Sequence, residues 1–351
     1  MSNNTECVTN GDTLLHEAVR NVDFHMAKTC IEAGMNPNIK NNYGDTPLHI
    51  APIYNNMDMI VYLVKNGADM DAKDNFGETP LTYAVNHSDY AIVKYMLDHG
   101  ANVNSSNNIG ESPVFAAVWK NYADKTALLV EYGADIHIKG SDGFLPLHIA
   151  AKSGYVELME YLINNLTLNV RTREGNTALY LALLRGHQVA SRLLLQHGAD
   201  IHIKGSDGFL PLHIAAKSGC ASLIKDLSDG SIINDPTPTG STALHYAVSS
   251  NMLESVQVLV ELKARINVRN NYGDTPLHIA VNCDYRDIII YLIGHGADTN
   301  IAPKVQFKLE NDDGDDYNSG YNDGHVAGYD VGYNDGYSQG LEDGKGNGDG
   351  N

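Results

Sequence analysis

Histidine is the residue type in this 351-residue chain best suited to chemistry, since a neutral imidazole can bind a metal ion or transfer a proton. Six of the fifteen histidines recur in one short sequence phrase, at positions far apart in the chain: His16, His49, His148, His213, His245 and His278. Ligands of one zinc ion lie about 2 Å from the metal, whereas packed helices lie about 8–10 Å apart. Histidines placed one per structural unit cannot share an ion. We therefore expect them to form structural hydrogen bonds.

Other reactive groups do not form a recognisable catalytic pattern. The sequence contains neither a G-x-S-x-G elbow nor a P-loop, and no dinucleotide-binding glycine motif follows a strand. The acidic stretch 312–316 does not match a calcium-binding loop. Four cysteines occur without a C-x-x-C pair, namely Cys7, Cys30, Cys220 and Cys283. We expect reduced thiols, an intracellular protein (cytoplasmic or nuclear), no enzymatic activity, no metal and no cofactor.

The charge balance restricts the class of partner. The chain has 24 basic and 43 acidic residues, a formal net charge of −19. Phosphate backbones and anionic membranes both require a basic surface, so we expect neither nucleic acid nor membrane as partner. No basic segment leads into an apolar stretch at the start, and no apolar run reaches the roughly 20 residues of a membrane-spanning helix. A protein partner, bound by a monomer, remains.

An eight-residue phrase recurs along most of the chain. Typical copies are GDTPLHIA from Gly44 and GSTALHYA from Gly240. Successive copies lie 32 or 33 residues apart, and their glycines are Gly11, Gly44, Gly77, Gly110, Gly143, Gly175, Gly208, Gly240 and Gly273. Such self-similarity at a fixed period is the signature of a repeat architecture.

A period of 33 residues with a T-P-L-H-x-A phrase resembles the ankyrin repeat family. The resemblance implies an all-α solenoid of nine repeats over residues 9–301, each a β-turn finger followed by two antiparallel helices, and a short leader at 1–8. It also implies non-enzymatic protein–protein interaction through a concave surface. Asn-, Ile-, Tyr- and Lys-rich composition and an internal duplication further resemble ankyrin arrays of giant viruses, which would place the protein in a host cell.

Capping residues recur at fixed positions in the repeats. Threonine precedes the first helix, as at Thr46, and proline occupies its first position, as at Pro47. Glycine is expected to end the second helix in the left-handed conformation, as at Gly67, and Asn165 takes this position in repeat five. Leu145 and Leu210 replace the threonine, so those two helices should begin less firmly.

Two irregularities predict local changes. Pro52 falls inside the first helix of repeat two, where it should shorten or kink the helix. Repeats five and seven have 32 residues, which predicts a shortened second helix in each. These two repeats share the 22-residue block that begins at Gly133 and again at Gly198, an offset of two repeats. Such duplication suits an architecture in which each unit contacts only its neighbours.

The composition changes after Pro303. Residues 302–319 are interpreted as an acidic linker, and residues 320–351 as a tail in which glycine recurs every fourth residue, often followed by tyrosine. The tail is either disordered or a helix that forms on a partner or on the solenoid. An alternative function follows: a two-part adaptor in which the repeats bind one protein and the tail recruits a second.

Aromatic and apolar residues cluster at the positions through which ankyrin arrays contact partners. The residue before the motif glycine is Tyr43, Phe76 or Ile109 in repeats two to four, and Phe144 follows the glycine of repeat five. Tyr83 and Trp119 lie in first helices, and Trp119 is the only tryptophan of the chain. These six residues are the predicted partner-binding site. The alternative, that they pack on neighbouring repeats, is open for each of them.

Overall fold

The computed structural model describes residues 10–300, and the predicted leader, linker and tail lie outside this range. Within residues 10–300 the chain forms helices, turns and loops, with no β-strand. The all-α prediction is confirmed. The helices occur as nine consecutive pairs: Leu14–Arg20 (α1) and Phe24–Glu32 (α2); Pro47–Ile50 (α3) and Met57–Lys65 (α4); Pro80–His87 (α5) and Tyr90–Asp98 (α6); Pro113–Trp119 (α7) and Ala123–Glu131 (α8); Pro146–Ser153 (α9) and Val156–Leu162 (α10); Ala178–Leu184 (α11) and Gln188–Gln196 (α12); Pro211–Lys217 (α13) and Ala221–Ile224 (α14); Ala243–Ser249 (α15) and Leu253–Glu261 (α16); Pro276–Asn282 (α17) and Arg286–Gly294 (α18).

The first helix of each pair forms the centre of the core. It contacts its own second helix and the first helices of adjacent pairs, as α9 contacts α7, α10 and α11. In α7 every residue from Pro113 to Val118 is buried, and only Trp119 reaches solvent. Because such a helix is covered on nearly all sides, the stack of first helices fixes the fingers that precede them.

The predicted capping positions mark the helix boundaries. Thr46, Thr79, Thr177, Thr242 and Thr275 are the residues that precede a first helix. The glycine that follows a second helix has a positive φ, for example 87° at Gly67, a conformation that glycine adopts without steric cost. The sequence missed Lys263, which adopts the same region at φ 69° after α16.

The expectation for Asn165 was wrong. Asn165 does not have a positive φ, because α10 already ends at Leu162 and the next residue, Ile163, is extended. The shortened repeat thus leaves its helix three residues earlier and does not use a left-handed terminator at this position.

Proline and repeat length act as predicted. Helix α3 ends at Ile50, and a 3₁₀ helix at Ala51–Tyr54 follows, with Pro52 inside it. Helices α10 and α14 contain seven and four residues, whereas second helices such as α8 contain nine. By contrast, the helices after Leu145 and Leu210 begin in the usual register, at Pro146 and Pro211.

Candidate functional site

The motif histidines connect each finger with the next. In His49, Nδ1 accepts a hydrogen bond from the backbone N–H of Thr46 at 3.0 Å, and Nε2 lies 3.2 Å from the carbonyl oxygen of Glu78 in the following repeat. Since Nδ1 accepts, the proton lies on Nε2 and is donated to the carbonyl. His16 and His245 bond to Asp45 and Asp274 in the same way. The predicted structural role of these histidines is confirmed.

Burial keeps these imidazoles neutral. It lowers the pKa of His148 and of His213 to about 4, and it also lowers the pKa of His49 and His245. Desolvation is the main cause in each case, because the charged form of the ring is the less stable one away from water. No group of three or more potential metal ligands occurs within residues 10–300. These histidines therefore act as hydrogen-bonding groups.

In the two short repeats the histidines reach a different carbonyl. Nε2 of His148 bonds to Val170 at 2.9 Å, and Nε2 of His213 bonds to Asp235 at 2.8 Å, in each case 22 residues onward. In full-length repeats the printed partner lies 29 residues onward, as for His49 and Glu78. The shorter second helix brings the loop before the finger under the histidine, so the bond is kept with a new acceptor.

A ladder of backbone hydrogen bonds joins the finger tips. The N–H groups of Asn75 and Asn108 donate to the carbonyls of Tyr43 and Phe76, each at 2.9 Å, and Ser141 donates to Ile109 at 3.0 Å. The side-chain amides of both asparagines also bond to the preceding finger at 2.9 Å. These bonds hold the backbone of the tips, so the side chains of Tyr43, Phe76 and Ile109 project from a fixed row.

Four of the six predicted site residues are exposed. The exposed fractions are 54% for Tyr43, 66% for Phe76, 41% for Ile109 and 38% for Trp119. Side chains of this size and apolarity in neighbouring units form the kind of patch that marks interaction surfaces. The structure brings them to the finger tips and to the end of one first helix, as predicted.

Tyr83 and Phe144 are only partly exposed and have partners within the array. The Tyr83 hydroxyl donates to Asp45 at 3.0 Å and lies 2.9 Å from Asp74, and its ring packs edge-on against His49. The carboxylates and burial raise the pKa of Tyr83 above its ordinary value. The Phe144 ring lies 5.8 Å from the Lys152 ammonium. Both residues therefore stabilise the repeats, in line with the packing alternative.

Glu111 is a residue of this surface that sequence reasoning missed. The indole N–H of Trp119 donates a hydrogen bond to its carboxylate, and Asp142 and Glu78 act on it as like charges. Partial burial, together with these charges, raises the pKa of Glu111 to about 7. One signal could have identified the position: the residue after the motif glycine is acidic in repeats one to four, at Asp12, Asp45, Glu78 and Glu111.

A second concavity lies between repeats six and seven. It is an open depression of about 580 Å³ that includes Leu195, Asp200 and His202. Its rim is bridged by an ion pair at 3.3 Å between Arg192 and Asp226. A shallow site of this kind does not enclose a small molecule, in contrast to typical ligand pockets.

Stacked helix pairs joined by histidine-anchored fingers define a class of repeat protein that generally binds other proteins. The chain belongs to the ankyrin repeat family: the family model for ankyrin repeats in three copies matches residues 1–74, 54–140, 128–205 and 212–302. These segments together cover most of the chain. The repeat boundaries within them stay a prediction.

Relatives of several kinds share part of this array. The chain is 37% identical to ankyrin repeat protein FPV031 of Fowlpox virus (strain NVSL) over 133 residues, which are 36% of the chain and 39% of the relative. It is 49% identical to mouse protein phosphatase 1 regulatory subunit 27 over 78 residues (22% and 46%). It is 35% identical to mouse B-cell lymphoma 3 protein homolog over 127 residues (36% and 28%). The chain thus spans less than half the length of each of these relatives.

The described helices were also compared with the dimensions of a bilayer. Within residues 10–300, no helix combines the length and the apolarity needed to cross a membrane.

Proposed function

We propose that the protein is a non-enzymatic scaffold that binds a protein partner on the finger and first-helix surface of repeats two to five. The observation that carries the proposal is the row of exposed side chains at Tyr43, Phe76, Ile109 and Trp119. Tyrosine and tryptophan are over-represented among the residues that dominate binding energy in interfaces. A relative named as a regulatory subunit of a phosphatase fits this type of function.

The length of the row agrees with a typical interface. Four successive repeats at about 10 Å each extend over some 30–40 Å, which suits the roughly 800 Å² that one partner buries in a standard complex. The fingers of repeats six and seven present Glu174 and Asp207 at the corresponding positions. We expect those fingers to contribute less, since charged side chains are depleted in the buried centre of interfaces.

A photo-crosslinking experiment tests the location. A photoreactive phenylalanine analogue is placed at Phe76 (66% exposed) and, as a matched control, at Val189 (68% exposed) on helix α12. In lysate of the cell that produces the protein, we expect a discrete adduct from position 76 and none from position 189. The same adducts from both positions, or an adduct from position 189 alone, would contradict the proposed surface.

The same experiment addresses the adaptor alternative. A chain that ends at Asn300 lacks the acidic linker and the Gly/Tyr/Asp tail. If the repeats select the partner, the adduct at position 76 persists in this shorter chain. Proteins captured by the full chain and lost by the shorter one would belong to the tail, and they would support the two-part adaptor.

A further inference from the structure

Repeats one to four each carry a carboxylate directly after the motif glycine, and we call Asp45, Glu78 and Glu111 of repeats two to four the acidic row. All three are partly exposed at the base of the fingers that present Tyr43, Phe76 and Ile109. The acidic row therefore lies beside the exposed side chains of the proposed binding surface. The question is which group this arrangement would accept.

Repeat one answers the question with a residue of its own. Asp12, its carboxylate at this position, binds the guanidinium of Arg20 through Nε at 3.2 Å and through Nη2 at 2.9 Å. Arg20 follows Asp12 by eight residues. In repeat five the residue with the same spacing is Lys152, whose ammonium lies over the Phe144 ring. In both repeats a cation of the chain covers the position after the motif glycine.

Repeats two to four lack that cation. The residues eight positions after the acidic row are Ile53, Asn86 and Trp119. Asp45 accepts a hydrogen bond from the neutral Tyr83 hydroxyl, and Glu111 accepts one from the neutral indole of Trp119. A neutral donor satisfies a lone pair of the oxygen but leaves the negative charge in place.

The neighbourhood of Glu111 makes this charge costly. Asp142 and Glu78 both act on it as like charges, and its pKa of about 7 reflects the cost of ionisation there. A guanidinium or ammonium brought to this position would relieve the repulsion. It would also meet the face of the Trp119 ring, to which cations are attracted.

We infer that the proposed surface takes a protein segment that carries arginine or lysine side chains, with the cations on Asp45, Glu78 and Glu111 and its apolar atoms on Trp119. The inference rests on the proposed function and specifies the chemistry of the partner. Adjacent repeats are about 10 Å apart, and an extended chain advances about 3.3 Å per residue. A segment with a basic residue at every third position therefore matches the acidic row.

The single tryptophan provides the readout. Two ten-residue peptides with identical apolar residues serve as probes, one with arginine and one with glutamate at every third position, each titrated into the full chain at fixed ionic strength. We expect the arginine peptide to change Trp119 emission in a saturable manner and the glutamate peptide to leave it unchanged. No saturable change with the arginine peptide, or an equal change with both, overturns the inference.

Paired variants separate the acidic row from the overall negative charge. Asp45→Asn with Glu111→Gln keeps the shape and a hydrogen-bond acceptor at each position but removes two charges. Asp124→Asn with Glu157→Gln removes two charges from exposed positions at the start of α8 and α10. We expect the first pair to weaken arginine-peptide binding by about tenfold or more and the second by less than about twofold. Equal losses would overturn the inference, while the crosslink at position 76 would still support the proposed function.

Discussion

Lys125 of α8 donates a 2.7 Å hydrogen bond from its ammonium to the carbonyl oxygen of Val85 in the preceding repeat. The side chain is almost fully buried, and its Nζ lies 4.1 Å from the centre of the Tyr122 ring. An ammonium group in such a place must be compensated, because burial without partners is very costly. Here the end of one first helix and an aromatic face share that task. Lys125 thus connects repeats three and four below the proposed binding surface.

The first prediction concerns this connection. Lys125→Met keeps much of the apolar stem but removes the bond to Val85, so we expect the free energy of unfolding to fall by about 1–3 kcal/mol. The measurement is urea denaturation followed by circular dichroism. Lys225→Met, at an exposed position, is the control and should change stability by less than about 0.5 kcal/mol. Equal effects of the two substitutions would show that the buried bond contributes nothing specific.

The second prediction uses the strained residue Val22. Its φ is +58°, a region unfavourable for a β-branched residue, whereas Asn121 and Asn251 adopt nearly the same φ in other repeats. We expect Val22→Asn to increase the free energy of unfolding by about 1 kcal/mol, since asparagine tolerates this conformation. The reverse change Asn251→Val should lower it by a similar amount. Thermal denaturation of both variants checks the pair, and changes of the same sign would refute the explanation.

The third prediction is an acid-dependent loss of stability. Folded His213 has a pKa of about 4, whereas the unfolded side chain binds a proton near the ordinary value of 6.5. Between these values the unfolded state binds more protons, so stability is complete above pH 6.5 and falls as the pH drops towards 4. We expect urea denaturation at pH 7.5 and 4.5 to show this decline.

Substitution assigns part of that decline to the buried ring. His213→Gln should cost roughly 1–3 kcal/mol at neutral pH, where the hydrogen bonds to Leu210 and Asp235 are lost, and should cost less at pH 4.5. His197→Gln, at an exposed position, should leave the dependence unchanged. An unchanged pH slope in His213→Gln would rule out this residue as a source.

The fourth prediction concerns Glu111 and has the opposite sign. Its folded pKa of about 7 exceeds the ordinary 4.5, so the folded state holds the proton more tightly, and this contribution to stability is lost as the pH rises from 4.5 through 7. Since Trp119 donates to this carboxylate, its emission should show a transition near pH 7. Glu111→Gln should abolish the transition, whereas Glu157→Gln should retain it. A transition that survives Glu111→Gln would belong to another group.

Much of the fold could be predicted because the repeat expresses local rules. A proline at the first helical position and a glycine after the second helix act within a few residues, as at Pro47 and Gly67. Pro52 likewise altered its own helix in the expected manner. Asn165 was predicted wrongly, because the end of α10 depends on how a short repeat packs on its neighbours.

The candidate site was predicted only in part, for a related reason. Exposure of Tyr43 and Phe76 follows from their place at a finger tip, which the repeat period fixes. The partners of Tyr83 and the charges around Glu111 come from other repeats, Asp45 lying 38 residues from Tyr83 and Asp142 on the next finger. Contacts of this kind depend on which residue each neighbouring unit happens to carry, and the motif does not encode them.

The finger ladder also bears on how the array comes apart. Pro238 occupies the position at which Asn75, Asn108 and Asn271 donate a backbone N–H to the preceding finger, and proline has no such group. Ser206, one repeat earlier, bonds instead to the side chain of Asn176 at 3.4 Å. Because stacked repeats owe their cooperativity to contacts between neighbours, weakened junctions at repeats seven and eight divide the array into two melting blocks. Under a steady pulling force the shorter carboxyl-terminal block would detach first, leaving Trp119 and the acidic row on the block that still holds its load.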